Sequence, residues 1–202
     1  MQLTATRLPT ETRQAEIVAA ALRLAQDSSP AAITTTDLAT AVGLSQGALF
    51  KHFASKEAVW LAAMTWVAEH LLGSLNEAAQ QADTPLEALR RVFEAHVDFV
   101  VTYPGVPRVI FHELQQPVDS PLKQQVRGLM QAYRQLLLRL LEAAVQRGDV
   151  AADLDVPAAV TLFVGIVQGL VMQSMLSSNI AIMRVEAPRV FHLYLRGIRP
   201  TP

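Results

Sequence analysis

No cysteine occurs in the chain, which excludes a disulfide framework, a thiolate metal site and a cysteine nucleophile together. Charge is scarce as well. Asp, Glu, Lys and Arg make up 17% of 202 residues and sum to −1, so the protein as a whole exerts no pull on nucleic acid. The opening residues MQLTATRLPTETRQ hold no apolar core; no secretory signal is visible, and a cytoplasmic location is expected. Also missing are a glycine-rich phosphate loop and a nucleophile motif. His96 near Asp98, His112 beside Glu113, and His192 invite acid–base or metal readings, yet none has a second histidine at i+4. Adjacent helical residues point about 100° apart, so His112 and Glu113 do not converge. No enzyme, cofactor or metal is expected. An all-helical enzyme is the alternative from another class.

What is present is apolar. Hydrophobic residues reach 51%, a globular composition with enough material for a substantial core. Their spacing is helical throughout, with no credible strand, repeat or low-complexity linker. Residues 14–26 place Ile17, Val18, Ala21, Leu22, Leu24 and Ala25 three and four apart. The stretch 27–36, with Pro30 and several Ser and Thr cap residues, interrupts the pattern. A short helix over about 35–42 then ends at Gly43, a residue suited to the left-handed closing position. Ser45 and Ser55 are cap candidates for helices over 46–52 and about 56–80. Pro85 opens a helix to Tyr103, before Pro104 and Pro107. Stretches 120–147, 156–178 and 186–197 complete the pattern. The expected fold is all-α with about nine helices.

The first three helices, with a tight turn between the second and third, have the spacing of a helix-turn-helix. Leu38, Ala39, Val42, Leu44, Leu49 and Phe53 are expected to close a small core with Ile17, Leu22 and Leu24. Ser45, Gln46, Ala48, Lys51 and His52 then face outward. Between Leu38 and Lys56 lie two lysines and a histidine but no acid. Gln46 suits an adenine edge in the major groove, Lys51 and Lys56 suit phosphates, and Gly47 and Ala48 allow close approach. The alternative is a three-helix packing unit with a solvated polar face.

TTTDLATAVGLSQGALFKHFASKEAVWLA resembles the N-terminal segment of the TetR family of transcriptional regulators. The similarity rests on Thr34–Thr36, Leu38-Ala39, Gly43, Leu49-Phe50-x-His52-Phe53 and Ser55-Lys56-Glu57. It spans roughly residues 12–65; beyond them the likeness is one of layout. The resemblance implies a homodimeric repressor of a palindromic double-stranded DNA operator, released by a small molecule. Its DNA-binding domain would cover residues 1–55, joined through the long helix 56–80 to a ligand-binding and dimerisation domain within 56–202. By position it implies phosphate contacts from Thr35 and Lys56, base contacts from Thr36, Ser45 and Gln46, and groove or backbone contacts from Lys51 and His52. Phe50 departs from the family, where Tyr is common and its hydroxyl reaches a phosphate.

From Val156 to Met183 no charged residue occurs over 28 positions, a length that suffices to span a bilayer. Against a membrane anchor stand Gln168, Gln173, Ser174, Ser177, Ser178, Asn179 and Pro157, and no aromatic belt flanks the segment. The favoured reading is a dimer interface over 156–197, completed by Val190, Phe191, Leu193 and Tyr194. The middle helices also hold Trp66, Phe93, Phe99, Tyr103, Phe111, Tyr133, Phe163 and Met172, with His96, His112 and Gln168 as sparse polar groups. That mixture suits a small-molecule pocket. The competing reading of each residue is plain core.

Overall fold

The computed structural model describes residues 10–200, and among them it contains nine helices and no strand. Helix α1 (Thr10–Asp27) starts four residues ahead of its predicted onset and buries Ile17, Val18, Ala20, Ala21, Leu22 and Ala25. Helix α2 (Thr35–Ala41) begins with a reciprocal cap: the Thr34 hydroxyl accepts from Asp37 N, and the Asp37 carboxylate accepts from Thr34 N. It ends at Gly43, whose φ of +67° is the left-handed geometry expected there. Leu44 N donates to Ala39 O at 2.8 Å and Gly43 N to Thr40 O at 3.1 Å, which satisfies carbonyls that the helix end would otherwise orphan.

Helix α3 is shorter than predicted. Regular α-helix covers only Gln46–Leu49, with the Ser45 hydroxyl accepting from Ala48 N. Residues 50–52 continue in tighter turns, Lys51 N donating to Ala48 O and His52 N to Leu49 O. The tighter winding lets Phe53 enter the core before Ser55 caps the next helix. Helix α4 (Lys56–Gln80) matches its predicted limits, and Ser55 Oγ accepts from Ala58 N at 3.2 Å. Helix α5 (Pro85–Thr102) has Thr84 as its cap.

Helix α6 (Gly105–Leu114) carries His112 and Glu113, and no limits were predicted for it because Pro104 and Pro107 interrupt the pattern. They sit at the cap and in the first turn, where amides have no intrahelical partner and proline costs little. Helices α7 (Pro121–Arg147), α8 (Val156–Leu176, capped by Asp155) and α9 (Ile182–Ile198) complete the chain. Helix α9 starts four residues ahead of its predicted onset.

The chain groups into two compact units. One runs to Val67 and takes in Pro104–Gln125; the other comprises Ala68–Tyr103 and the chain from Val126 onward. The first unit takes in α6, which packs on α1. At their contact Gly105 presses its backbone onto α1: a Cβ built there would lie 2.0 Å from Leu22 O. The small core holds Ile17, Leu22, Leu38, Ala39, Leu49 and Phe53 as expected, joined by Ala20, Ala21 and Ile33. Leu24, Val42 and Leu44 differ from expectation and stand half-buried at its rim.

In the second unit α5, α8 and α9 pack against one another. Phe163 sits at the centre of an aromatic cluster, edge-on to Phe93 at 5.5 Å and to Tyr194 at 5.5 Å, while Phe93 stacks on Phe191 at 4.9 Å. Phe191 and Tyr194 are thus buried in their own unit, which corrects their assignment to an interface face. Val190 is half-buried and Leu193 exposed. Residues at 190 and 193 lie a helical turn apart on one side, and 191 and 194 on the next.

Candidate nucleic-acid interface and ligand cavity

The first unit gathers all ten residues expected to meet DNA. Thr36, Ser45, Gln46, Gly47, Phe50 and Lys51 are exposed, and Thr35, Ala48, His52 and Lys56 are half-buried. Phe50 keeps 45% of its surface open while Phe53 keeps 8%; the regular helix ends at Leu49, and the chain beyond it buries the second ring and leaves the first exposed. Gln46 Nε2 donates to Thr35 Oγ1 at 2.6 Å, which ties α3 to the start of α2. The Ser45 hydroxyl accepts the cap bond at 3.2 Å and still has its proton to give. Lys56 Nζ donates to Ala31 O at 2.9 Å, anchoring the loop between α1 and α2.

His52 departs from the outward orientation expected of it. Its carbonyl accepts from Gln14 Nε2 at 2.9 Å, and its Nδ1 is buried without a hydrogen-bond partner. The two acids flanking this face are both occupied at helix starts. The Asp37 carboxylate is held below its usual range by the Thr34 backbone N–H and then the Thr34 hydroxyl. Glu57 is lowered by its own backbone N–H and then by the Ser55 hydroxyl. The face between them presents Lys51 and polar side chains, with its negative charge confined to the margins.

The nine residues expected to line a ligand pocket are distributed over both units. Trp66, Phe111 and His112 belong to the first unit; His96, Phe99, Tyr103, Tyr133, Gln168 and Met172 belong to the second. Tyr133 is fully buried in the aromatic cluster, whereas Gln168 and Met172 stand exposed on α8. Two pairs do meet: His96 Nδ1 lies 3.1 Å from the Tyr133 hydroxyl, and the rings of Phe99 and Tyr103 are 4.9 Å apart. Desolvation pushes His96 down to about 4, so its imidazole is neutral near pH 7.

A cavity of about 550 Å³ opens in the first unit, bounded by the α1–α2 loop, the first turns of α4, and α6 with the start of α7. Ala58, Trp60, Leu61, Val109 and Leu122 supply apolar walls, and Lys56, Glu57, His112, Glu113, Gln116 and Ser120 supply polar groups. Glu113 is only 7% exposed and accepts a hydrogen bond from the Ser120 hydroxyl. Trp60 is 6% exposed, and its indole N–H is buried without a partner. Of these wall residues only His112 was anticipated. The others come from segments about fifty residues apart, and no local pattern marks them.

Residues 17–63 match the family model described as bacterial regulatory proteins, tetR family, and residues 85–187 match the tetracyclin repressor-like C-terminal domain. A nucleoid occlusion factor SlmA from Vibrio atlanticus is 25% identical over 158 residues, 78% of this chain and 81% of that protein. Among solved structures, the fatty acid degradation regulator FadR from Bacillus halodurans superposes with a TM-score of 0.80 at 18% identity, covering 98% of this chain and 100% of that one. FadR from Bacillus subtilis, solved with stearoyl-CoA, gives 0.77 at 19% identity, covering 92% and 99%. The helix-turn-helix, the helical unit beyond it and the two model matches agree, and the chain belongs to the TetR family of DNA-binding bacterial regulators.

Proposed function

We propose that the protein is a homodimeric, cytoplasmic repressor that binds a palindromic operator through its 46–52 segment and is released by a small molecule. The observation that carries the DNA reading is the open face of the head. Gln46, Lys51 and Phe50 are exposed there, and both flanking carboxylates are tied to helix starts. In this reading Gln46 reads a base edge, Thr36 and Ser45 assist it, and Lys51, Lys56 and Thr35 hold phosphates. Phe50 contributes apolar contact to the sugar–phosphate backbone.

Dimerisation is supported by the outer faces of α8 and α9. Leu162, Met172, Leu176, Val185 and Leu193 are exposed, and a groove of about 440 Å³ runs along Leu162, Ile166, Gly169, Leu170 and Leu193. An apolar surface of this kind on paired helices suits a self-complementary contact. Helix α8 is long and apolar enough to cross a membrane by composition alone. Its buried side, including Phe163 and Val167, is that of a packed helix instead.

Selecting bound fragments from a random DNA pool tests the reading, and a two-fold symmetric site is expected. On that site Gln46→Ala should lose about 1–3 kcal/mol and relax one base position per half-site. Lys56→Ala should weaken all DNA alike and reduce the salt slope by roughly one per subunit. Equal loss of discrimination from both variants would contradict these roles. For the dimer, a Cβ at Gly169 meets nothing within 4 Å, so Gly169→Arg leaves the protomer intact and places an unpaired charge in the interface. Sedimentation should show dimers for the wild type and monomers for the variant. A wild type that is monomeric at micromolar concentration refutes the interface. Effector and operator must also weaken each other by the same factor.

A further inference from the structure

We infer that the cavity of the first unit is a binding site for a lipophilic amine, with Glu113 as the partner of its cationic nitrogen. The inference rests on the regulator reading only for its consequence on DNA. Glu113 is one of two buried polar or charged side chains among the described residues, and it borders a space walled by Trp60, Leu61, Val109 and Leu122. A carboxyl group so placed, with a neutral hydroxyl as its hydrogen-bond donor, is incompletely compensated when ionised. A protonated amine supplies both the opposite charge and further donors.

The other charges around the cavity are already committed. The Lys56 ammonium is bound to Ala31 O, and Glu57 is held at the start of α4 by its own N–H and the Ser55 hydroxyl. Lys123 Nζ donates to Gln116 O at 2.6 Å, and Gln116 Nε2 donates to His112 O at 3.2 Å. Of the charged groups at the wall, Glu113 is the buried one, and burial makes an opposite charge beside it the favoured complement and disfavours an anionic occupant. The Trp60 indole adds a face that attracts cations and packs against an aryl body, and a volume of about 550 Å³ accepts a ligand of drug size.

Placement gives the site its consequence. Lys56 and the Pro30–Ala31 stretch line the same cavity, and Lys56 is the residue assigned to a phosphate. An occupant that displaces the Lys56–Ala31 bond shifts the loop leading into α2. It thereby acts on the reading head within a single compact unit.

The test is calorimetric titration of the full chain with three probes that share one body: biphenylbutylamine, biphenylbutanol and biphenylbutanoate. The amine should bind at least about tenfold more tightly than the alcohol, and the carboxylate more weakly than either. Glu113→Gln keeps the size and the Ser120 hydrogen bond; it should bring the amine to the affinity of the alcohol and leave the alcohol unchanged. Equal binding of amine and alcohol by the wild type, tighter binding of the carboxylate, or no binding at millimolar concentration would each overturn the site. These titrations need no DNA, so their failure leaves the regulator reading intact. A protein that binds the amine but selects no DNA would overturn that reading and leave the site standing.

Discussion

Replacing Gly105 with alanine probes the contact that joins α6 to the reading head. Gly105 is buried at the first position of α6, with no positive φ, so alanine's backbone preferences are satisfied and only the added methyl matters. That methyl would stand 2.0 Å from Leu22 O and 3.1 Å from Leu22 C, both backbone atoms of α1. A carbon–oxygen contact needs about 3.3 Å, so one helix must retreat by roughly 1 Å. Neither side can yield by turning a side chain. Helix α1 is itself fixed by Ala20, Ala21 and Ala25, which are fully buried. Overpacking of this kind costs about 1–3 kcal/mol or more, equivalent to a fall in melting temperature of roughly 2–12 °C for a chain of this size. Gly73→Ala is the control. A Cβ there meets nothing within 4 Å and Gly73 itself is exposed on α4, so the variant should stabilise by about 0.5–1 kcal/mol. Thermal melting of both variants reads the difference. If Gly105→Ala melts within a degree of the wild type while Gly73→Ala behaves as stated, the close approach of α6 to α1 is wrong.

The other predictions concern the two phenylalanines and one histidine. Phe50→Tyr adds a hydroxyl at an exposed ring, so melting should barely move. Affinity for operator and for nonspecific DNA should rise together by less than about tenfold, because a phosphate carries no sequence information. Phe53→Tyr forces a hydroxyl into the small core and should destabilise by about 1–3 kcal/mol; the reverse pattern in melts and DNA titrations would mean that the two faces have been interchanged. His96 falls from 6.5 to about 4 by desolvation, so the unfolded chain takes up its proton first. The contribution is complete above pH 6.5 and is lost as pH falls toward about 4, amounting to about 3 kcal/mol. Urea unfolding across that window should show the slope in the wild type and a flatter one in His96→Phe, and identical slopes would refute the assignment.

The sequence by itself determined the helices whose signals are local. Gly43 before Leu44 stops α2, and Ser45 and Ser55 cap the helices after them. These are short-range constraints, fixed by steric limits and hydrogen bonds within one or two turns. The acid-free stretch from Leu38 to Lys56 was legible for the same reason, and so was the family resemblance it carries. The start of α6 was hidden by Pro104 and Pro107, since proline reads as a break unless its place in the first turn is known. The ligand residues chosen by type fall in both units. Tyr133 packs into the aromatic cluster of the second unit, while His112 faces a cavity of the first. Only the tertiary structure could bring Trp60, Val109, Glu113 and Ser120 around one space, or show that Phe191 and Tyr194 turn inward while Leu193 stays open. Helical periodicity tells which residues share a face but not what that face meets, because the meeting depends on packing between segments far apart in the chain.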